Sequence, residues 1–270
     1  MPIAHLRGID ITYRLGGAGP RLLLISGTGS SLRELDLLLA PFVDHFELLV
    51  HDQRGLGDTT VPDEQPTMAD YAADAAALAE HVGWGSYRVA GISFGGMVAQ
   101  ELAVTWPERI ERLVLLCTSP GGVGPDGESL SSYPLHELSD LPDDERVRIG
   151  RDILDARFTD EWLAEHPADA FIADVFEQRA RAPRTDEQRR GDRLQLEARR
   201  HHDVLDRLGA IRCPTLVAAG RFDGIAPLSN AEAIVARVPD AQLRTYDGGH
   251  VFFFQDQAAL PDVVAFLAAP

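Results

Sequence analysis

Lysine is absent from this chain of 270 residues, and all 25 basic side chains are arginine. That absence excludes a Schiff-base lysine, a lysine-bound pyridoxal phosphate and a P-loop lysine. Cysteine is nearly as scarce. Cys117 and Cys213 each sit in an apolar, strand-like run, so both are expected to be small buried hydrophobes. Two thiols and an opening segment unlike a secretory leader point to a reducing, cytoplasmic setting. No apolar run approaches the ~20 residues needed to cross a bilayer, so no membrane partner is expected. Positive charge is also short. Against 42 acidic residues the formal net charge is −17, a field that repels nucleic acid and anionic membrane surfaces alike.

What is present is a run of alternating elements. Residues 3–7 and 9–15 read as two strands joined at Gly8. Leu22-Leu23-Leu24-Ile25 is continuously apolar, as a strand covered on both faces must be. It ends in the turn Ser26-Gly27-Thr28-Gly29-Ser30, and a helical pattern covers 32–43. A strand over 46–50 leads into His51-Asp52-Gln53-Arg54-Gly55-Leu56-Gly57-Asp58. A helix over 67–83 opens with the capping pair Thr67 and Asp70. Strand 87–92 is followed by a helix that must stop before Pro107, and Arg112–Cys117 is the next buried strand. Strands alternating with helices imply a mostly parallel sheet with helices on both faces.

The alternation breaks after Ser119. Residues 120–134 are rich in Gly, Pro and Ser, and 142–207 are helical and dense in charge. This is an inserted helical block, 121–205, between core segments 1–120 and 206–270. The strand–helix rhythm returns through 214–219, 234–238 and 243–246, and a helix over about 256–268 closes the chain.

One stretch organises the rest: Gly91-Ile92-Ser93-Phe94-Gly95, between a strand and a helix. So tight a reversal leaves room only for hydrogen at the flanking positions and strains the serine backbone, lifting its hydroxyl above the sheet. A serine hydroxyl is a weak nucleophile. It needs a base within reach and a third group to fix that base's tautomer. Two residues follow strands where sites in parallel sheets collect: Asp223 after 215–219 and His250 after 243–246. The order Ser93, Asp223, His250 is that of the elbow motif.

On four stretches the chain resembles the α/β-hydrolase superfamily, of the esterase or enol-lactonase kind, with a helical cap. They are the elbow, Asp52-Gln53-Arg54-Gly55-Leu56-Gly57, the Gly220 to Pro227 segment and Gly248-Gly249-His250. The resemblance implies an α/β-hydrolase fold with an eight-stranded, mostly parallel sheet and a cap. It implies a catalytic triad of Ser93, His250 and Asp223, no metal and no organic cofactor. The family usually carries His-Gly after the third strand, where this chain has Ser26-Gly27. By the same alignment the oxyanion hole would be the backbone N–H groups of Thr28 and Phe94.

Other candidates have plainer explanations. Asp247 belongs to an Asp-Gly-Gly turn, and His51–Asp52 match a loop-organising segment. Asp126 follows the sixth strand, where some members of the family that the chain resembles place the acid, but Asp223 has the fuller motif. His201 and His202 are adjacent, point about 100° apart on a helix, and are expected on the helix surface or at the hinge of the insert. Ser119 and Cys117 read as strand-end packing. The 120–134 stretch is expected to flex. Tyr133, Trp162, Phe171 and Phe176 are candidates to line a pocket, and one of Phe252, Phe253 and Phe254 to face it. The expected activity is cleavage of a small, mostly apolar ester or lactone through an acyl-enzyme. Carbon–carbon bond hydrolysis, cyclisation with the same triad, and a ligand receptor retaining the site are the alternatives. Oligomeric state leaves no mark on the sequence.

Overall fold

The computed structural model describes residues 1–138 and 141–270. β1 (Ile3–Leu6) and β2 (Ile9–Gly16) form the antiparallel hairpin expected at the amino terminus. β3 (Arg21–Ile25), β4 (Glu47–His51), β5 (Tyr87–Ile92), β6 (Ile110–Leu116), β7 (Thr215–Gly220) and β8 (Ala241–Tyr246) follow. They join one eight-stranded sheet in the order β1-β2-β4-β3-β5-β6-β7-β8. β2 runs antiparallel to β4, and every pairing from β4 to β8 is parallel.

The apolar runs are explained by the two faces they serve. Leu23 and Ile25 of β3 enter one core, while Leu22 and Leu24 enter the other. α1 (Asp36–Val43) and a carboxy-terminal helix cover one face, with α2 (Met68–His81) and α3 (Phe94–Thr105) over the other. The expected helix over 32–43 is split, with a 3₁₀ turn at Leu32–Glu34 preceding α1. α2 starts as its sequence predicts: Asp70 N–H donates to Thr67 Oγ1, and Thr67 N–H donates to Asp70 Oδ2 at 2.9 Å.

Between β6 and β7 lie α4 (Leu135–Leu138), α5 (Asp143–Leu154), α6 (Asp160–Glu165), α7 (Pro167–Arg181) and α8 (Asp186–Arg200). The two ends of this insert are stapled together. Gly121 bridges Asp203, and Val204 N–H donates to Pro120 O at 2.9 Å. The 120–134 stretch, expected to flex, is fastened along its length. Gly124 N–H bonds Glu128 O at 2.8 Å, Leu130 N–H bonds Gly122 O at 3.0 Å, and Tyr133 N–H bonds Ile225 O at 2.7 Å. Glycine and serine there permit tight turns rather than looseness.

α9 (Leu228–Val235), α10 (Phe252–Gln255) and α11 (Ala259–Ala268) complete the chain. Ile234–Val238, which falls between two strands in the strand–helix rhythm, is the last turn of α9 and its exit, with Val238 N–H bonded to Ile234 O. Among the described residues no helix is long and apolar enough to cross a membrane.

The sheet order reverses at β3, which lies between β4 and β5. Chain leaving β3 and chain leaving β5 therefore diverge, and a crevice opens at their carboxyl ends. The Thr28 loop and Ser93 flank it.

Candidate active site

The bend after β5 is as tight as its glycines suggest. Ser93 has φ 54° and ψ −113°, a backbone conformation costly for any residue with a side chain. A Cβ on Gly95 would overlap Ile25 O and Ser26 O, so only glycine lets α3 begin this close to β3. Four hydrogen bonds hold the bend. Ser93 N–H donates to Leu116 O at 2.8 Å, and Ser93 O accepts from Thr118 Oγ1, Gly96 N and Met97 N at 2.7, 2.9 and 3.2 Å.

The structure brings Ser93, His250 and Asp223 together across 157 residues of chain. Ser93 Oγ lies 2.9 Å from His250 Nε2, and His250 Nδ1 lies 2.8 and 3.0 Å from the two Asp223 carboxylate oxygens. Asp223 Oδ1 also accepts from the N–H groups of Ile225 and Ala226, each at 2.8 Å, which fixes the plane of the carboxylate. An ionised carboxylate only accepts, so the imidazole proton belongs on Nδ1 and leaves Nε2 to accept from the serine hydroxyl. All three side chains are buried.

The Thr28 loop leans on the same serine. Gly27 stands against Ser93, close enough that a Cβ there would touch the Ser93 Cβ at 3.6 Å. Side chains from distant segments grip this loop. Gln53 Nε2 donates to Ser26 O at 2.9 Å, Gly29 N–H donates to Gln195 Oε1 at 2.7 Å, and Arg179 donates to Gly29 O at 2.7 Å. Replacing the family's usual His-Gly with Ser26-Gly27 thus leaves a loop anchored by the turn after β4, by α7 and by α8. Sequence reasoning missed Gln195 and Arg179, because helix positions more than a hundred residues away carry no sign of what they touch.

It also missed a segment of the insert that runs between the Asp223 and His250 loops. Gly224 N–H donates to Ile153 O at 3.1 Å, Ala156 N–H to Phe222 O at 2.9 Å, and His250 N–H to Leu154 O at 2.6 Å. Asp155, fully buried, accepts from Arg157 at 2.7 and 3.0 Å and from Gln255 Nε2 at 2.9 Å. Gln255 Oε1 in turn accepts from Gly249 N–H, next to His250, at 2.9 Å. A Cβ on Gly249 would overlap Leu154 O and the Asp155 Cα, which explains the second glycine of Gly248-Gly249-His250.

Several rival candidates stand apart. Asp126 is exposed and bonds Glu128 N–H, while Asp247 is exposed and pairs with Arg157 at 2.9 Å. Asp52 organises its loops, accepting from Leu32 N–H at 2.6 Å and Asp58 N–H at 3.1 Å. Arg54 grips Asp74 at 2.6 and 2.7 Å. Burial pushes the Asp52 carboxyl up against the pull of those donors. Cys117 and Cys213 are buried free thiols, and burial raises both, Cys213 to about 11. Of the proposed lining aromatics, Phe171 is exposed. Trp162 stacks on His166 at 3.7 Å, with the Arg157 guanidinium on it at 4.8 Å. Phe252 stacks on Tyr246 and Phe253 is buried, while Phe254 is partly open to solvent.

The two adjacent histidines differ. His201 is exposed and bonds Glu197 at 2.9 Å, as a helix-surface residue should. His202 is buried at the hinge, the second of its two expected places, where its carbonyl lies against Gly121 and Val204 N–H bonds Pro120 O. Burial and the nearby Arg207 charge lower its pKa to about 3, opposed by the Ser119 backbone lying against the ring. His51 is lowered to about 4 by burial alone. Both are neutral in the fold but protonate near pH 6.5 once unfolded, so stability is full above that pH and falls as pH drops from 6.5 towards 4. The expected decline is about 1.4 kcal/mol per pH unit for each histidine. Urea midpoints at pH 7.5 and 5 measure it, and His51→Gln should remove roughly half of the drop.

A sheet of this order with a strained serine after β5, an acid after β7 and a histidine after β8 defines a class. The alpha/beta hydrolase fold family matches residues 20–257, and the chain belongs to it. Similar proteins include a poly(3-hydroxyalkanoate) depolymerase of Ectopseudomonas oleovorans. It is 28% identical over 91% of this chain and 83% of its own length. A putative carbamate hydrolase of Azorhizobium caulinodans is 26% identical over 97% of this chain and 95% of its own. Among solved structures, a hydrolase from Pseudomonas aeruginosa superposes with a TM-score of 0.80 at 29% identity, over 99% of this chain and 98% of that one. The enol-lactonase of Burkholderia xenovorans shares the fold at a TM-score of 0.80 and 23% identity, over 99% and 100% of the two chains.

Proposed function

We propose that the protein is a serine hydrolase that cleaves a carboxylic ester or lactone through an acyl-enzyme. The observation that carries this is the unbroken relay from Ser93 Oγ through His250 to Asp223, with contacts of 2.9 and 2.8 Å. His250 Nε2 takes the hydroxyl proton as Ser93 Oγ bonds to the carbonyl carbon. The electron pair of the carbonyl moves to oxygen, where the N–H groups of Thr28 and Phe94 receive it. Each such donor is worth about 3–4 kcal/mol to the transition state. Collapse expels the alkoxide, which takes its proton from His250 and leaves the acyl group on Ser93. Water then repeats the two steps in reverse roles, restoring the serine. Asp223 holds the imidazole in the required tautomer and stabilises its charged form.

The inserted helices, residues 121–205, serve in this reading as a cap that excludes bulk water and holds the Thr28 loop. An organophosphonate probe tests the mechanism. Peptide mass spectrometry should find the adduct on Ser93 alone, with loss of esterase activity in step with labelling. Full inactivation with Ser93 unmodified would sink it.

A further inference from the structure

Beside the relay, though lined by none of its three residues, is a cavity of about 180 Å³, and three of its lining side chains carry buried polar atoms with no hydrogen-bond partner. Arg199, on the inner side of α8, is buried, with burial lowering it to about 10 and the Asp223 charge opposing that fall. Its Nε donates to Ser132 Oγ at 2.9 Å and its Nη2 to Tyr133 O at 3.1 Å, but Nη1 has no acceptor. The hydroxyl of Ser119 and both ring nitrogens of His202 are buried and unpartnered as well. These three side chains line one cavity. A guanidinium out of water without a directly bonded carboxylate is expensive, and so are unpaired donors beside it.

The charge pattern points the same way. Although the chain carries a net charge of −17, the described lining of this cavity includes Arg199 and Arg200 and no Asp or Glu. Leu196 and His136 are shared with an outer groove lined by Arg190, Arg193 and Glu197, so the approach carries two arginines against one carboxylate. The cavity wall is tied to the relay. Thr118, next to Ser119, donates to Ser93 O, and Tyr133 N–H bonds Ile225 O, two residues beyond Asp223.

We propose that this cavity receives a free carboxylate on the substrate, with Arg199 Nη1 as its charged anchor and Ser119 Oγ and His202 N–H as neutral donors. The substrate is then an acidic ester or lactone, rather than the mostly apolar one that the sequence suggests. This rests on the serine-hydrolase reading for the chemistry, but the anion site itself does not depend on it.

The test pairs two esters that differ only at the far end, 4-nitrophenyl hydrogen adipate and 4-nitrophenyl hexanoate. The native protein should prefer the acidic ester by about 10- to 100-fold in kcat/KM, the range for a charge-assisted hydrogen bond. In Arg199→Gln the ratio should collapse to near or below unity, and in Ser119→Ala it should shrink. Because Arg199→Gln removes a buried side chain, Ser119→Ala carries the test if the former does not fold. A second readout needs no turnover. Millimolar adipate should raise the melting temperature of Ser93→Ala protein, and not that of the Ser93→Ala, Arg199→Gln double variant. Equal rates on both esters with no stabilisation by adipate would overturn the carboxylate site and leave the hydrolase standing. Stabilisation by adipate without hydrolysis of either ester would keep the anion site and sink the hydrolase reading.

Discussion

Ser93→Ala is expected to lower kcat by about 10⁴- to 10⁶-fold while leaving the fold intact, since in the proposed mechanism the nucleophile acts as one unit with His250 and Asp223. The fold should survive because the Ser93 side chain supports no packing. Its hydroxyl bonds His250, whereas the turn is held through Ser93 N–H and O, which alanine keeps. Ser93→Gly should do something alanine does not. With φ at 54° and ψ at −113°, the position is one that glycine occupies without strain. Relief of that strain, less the added entropy of the unfolded chain, should stabilise the protein by about 1 kcal/mol. An inactive protein with a higher urea midpoint would therefore mark a serine kept for chemistry at a cost in stability. Ser93→Ala retaining a tenth of native activity would remove it from the nucleophile role.

Asp155→Ala carries the other large effect, and the effect is on stability and catalysis together. The carboxylate is fully buried and accepts from Arg157 and Gln255, so its loss removes two acceptor oxygens from the guanidinium and leaves the amide with Asp169 Oδ1 alone, at 3.1 Å. Breaking a buried pair costs about 3–5 kcal/mol, and the value here should fall at the lower end because Asp247 still pairs with Arg157. Gln255 also receives Gly249 N–H, so leaving it held by Asp169 alone loosens the turn that precedes His250. A fall in kcat of about 10- to 100-fold is expected from such misplacement, with little change in KM. Asp155→Asn, which keeps the shape and loses the charge, should lie between. Thermal melts and steady-state kinetics on the folded fraction measure both. A variant with native melting temperature and native kcat would show that the clamp is idle.

These two residues also mark how far the sequence could be read. The meeting of Ser93, Asp223 and His250 was legible because each sits in a short glycine-containing motif after a strand: Ser93 and Asp223 follow apolar runs, while His250, after the half-polar Ala241–Tyr246, is marked by Gly248-Gly249. Leu22–Ile25 and Thr215–Ala219 announced themselves as strands because a parallel strand buried on both faces has no polar position to give. Asp155, Gln195 and Arg199 were not legible. On α8 the buried stripe is Gly191, Gln195, Ala198 and Arg199, at helical spacing but half polar. In a helix as charged as this one, a polar residue facing inward looks the same as one facing water. Their partners at Gly29, Ser132 and Tyr133 are far off in the chain, and only the folded backbone brings them near.

The passage of Ile153 to Arg157 between the Asp223 and His250 loops has a consequence for the order in which the molecule assembles. The ring of His250 is held by Asp223, but its backbone N–H and the Gln255 beneath it are held by Leu154 and Asp155 of the insert, about a hundred positions away. Pairing of β6 with β7 closes the same span, Val114 against Leu216, and closures of that length are slow compared with local ones. The joining of the two halves of the sheet and the seating of the histidine therefore depend on one long-range closure, and hydrolytic activity should return together with the last of the sheet structure when the protein refolds. Stopped-flow circular dichroism set against the return of ester turnover would test that coincidence. A core with residues 121–205 excised should keep the serine on its bend and lose the alignment of the histidine.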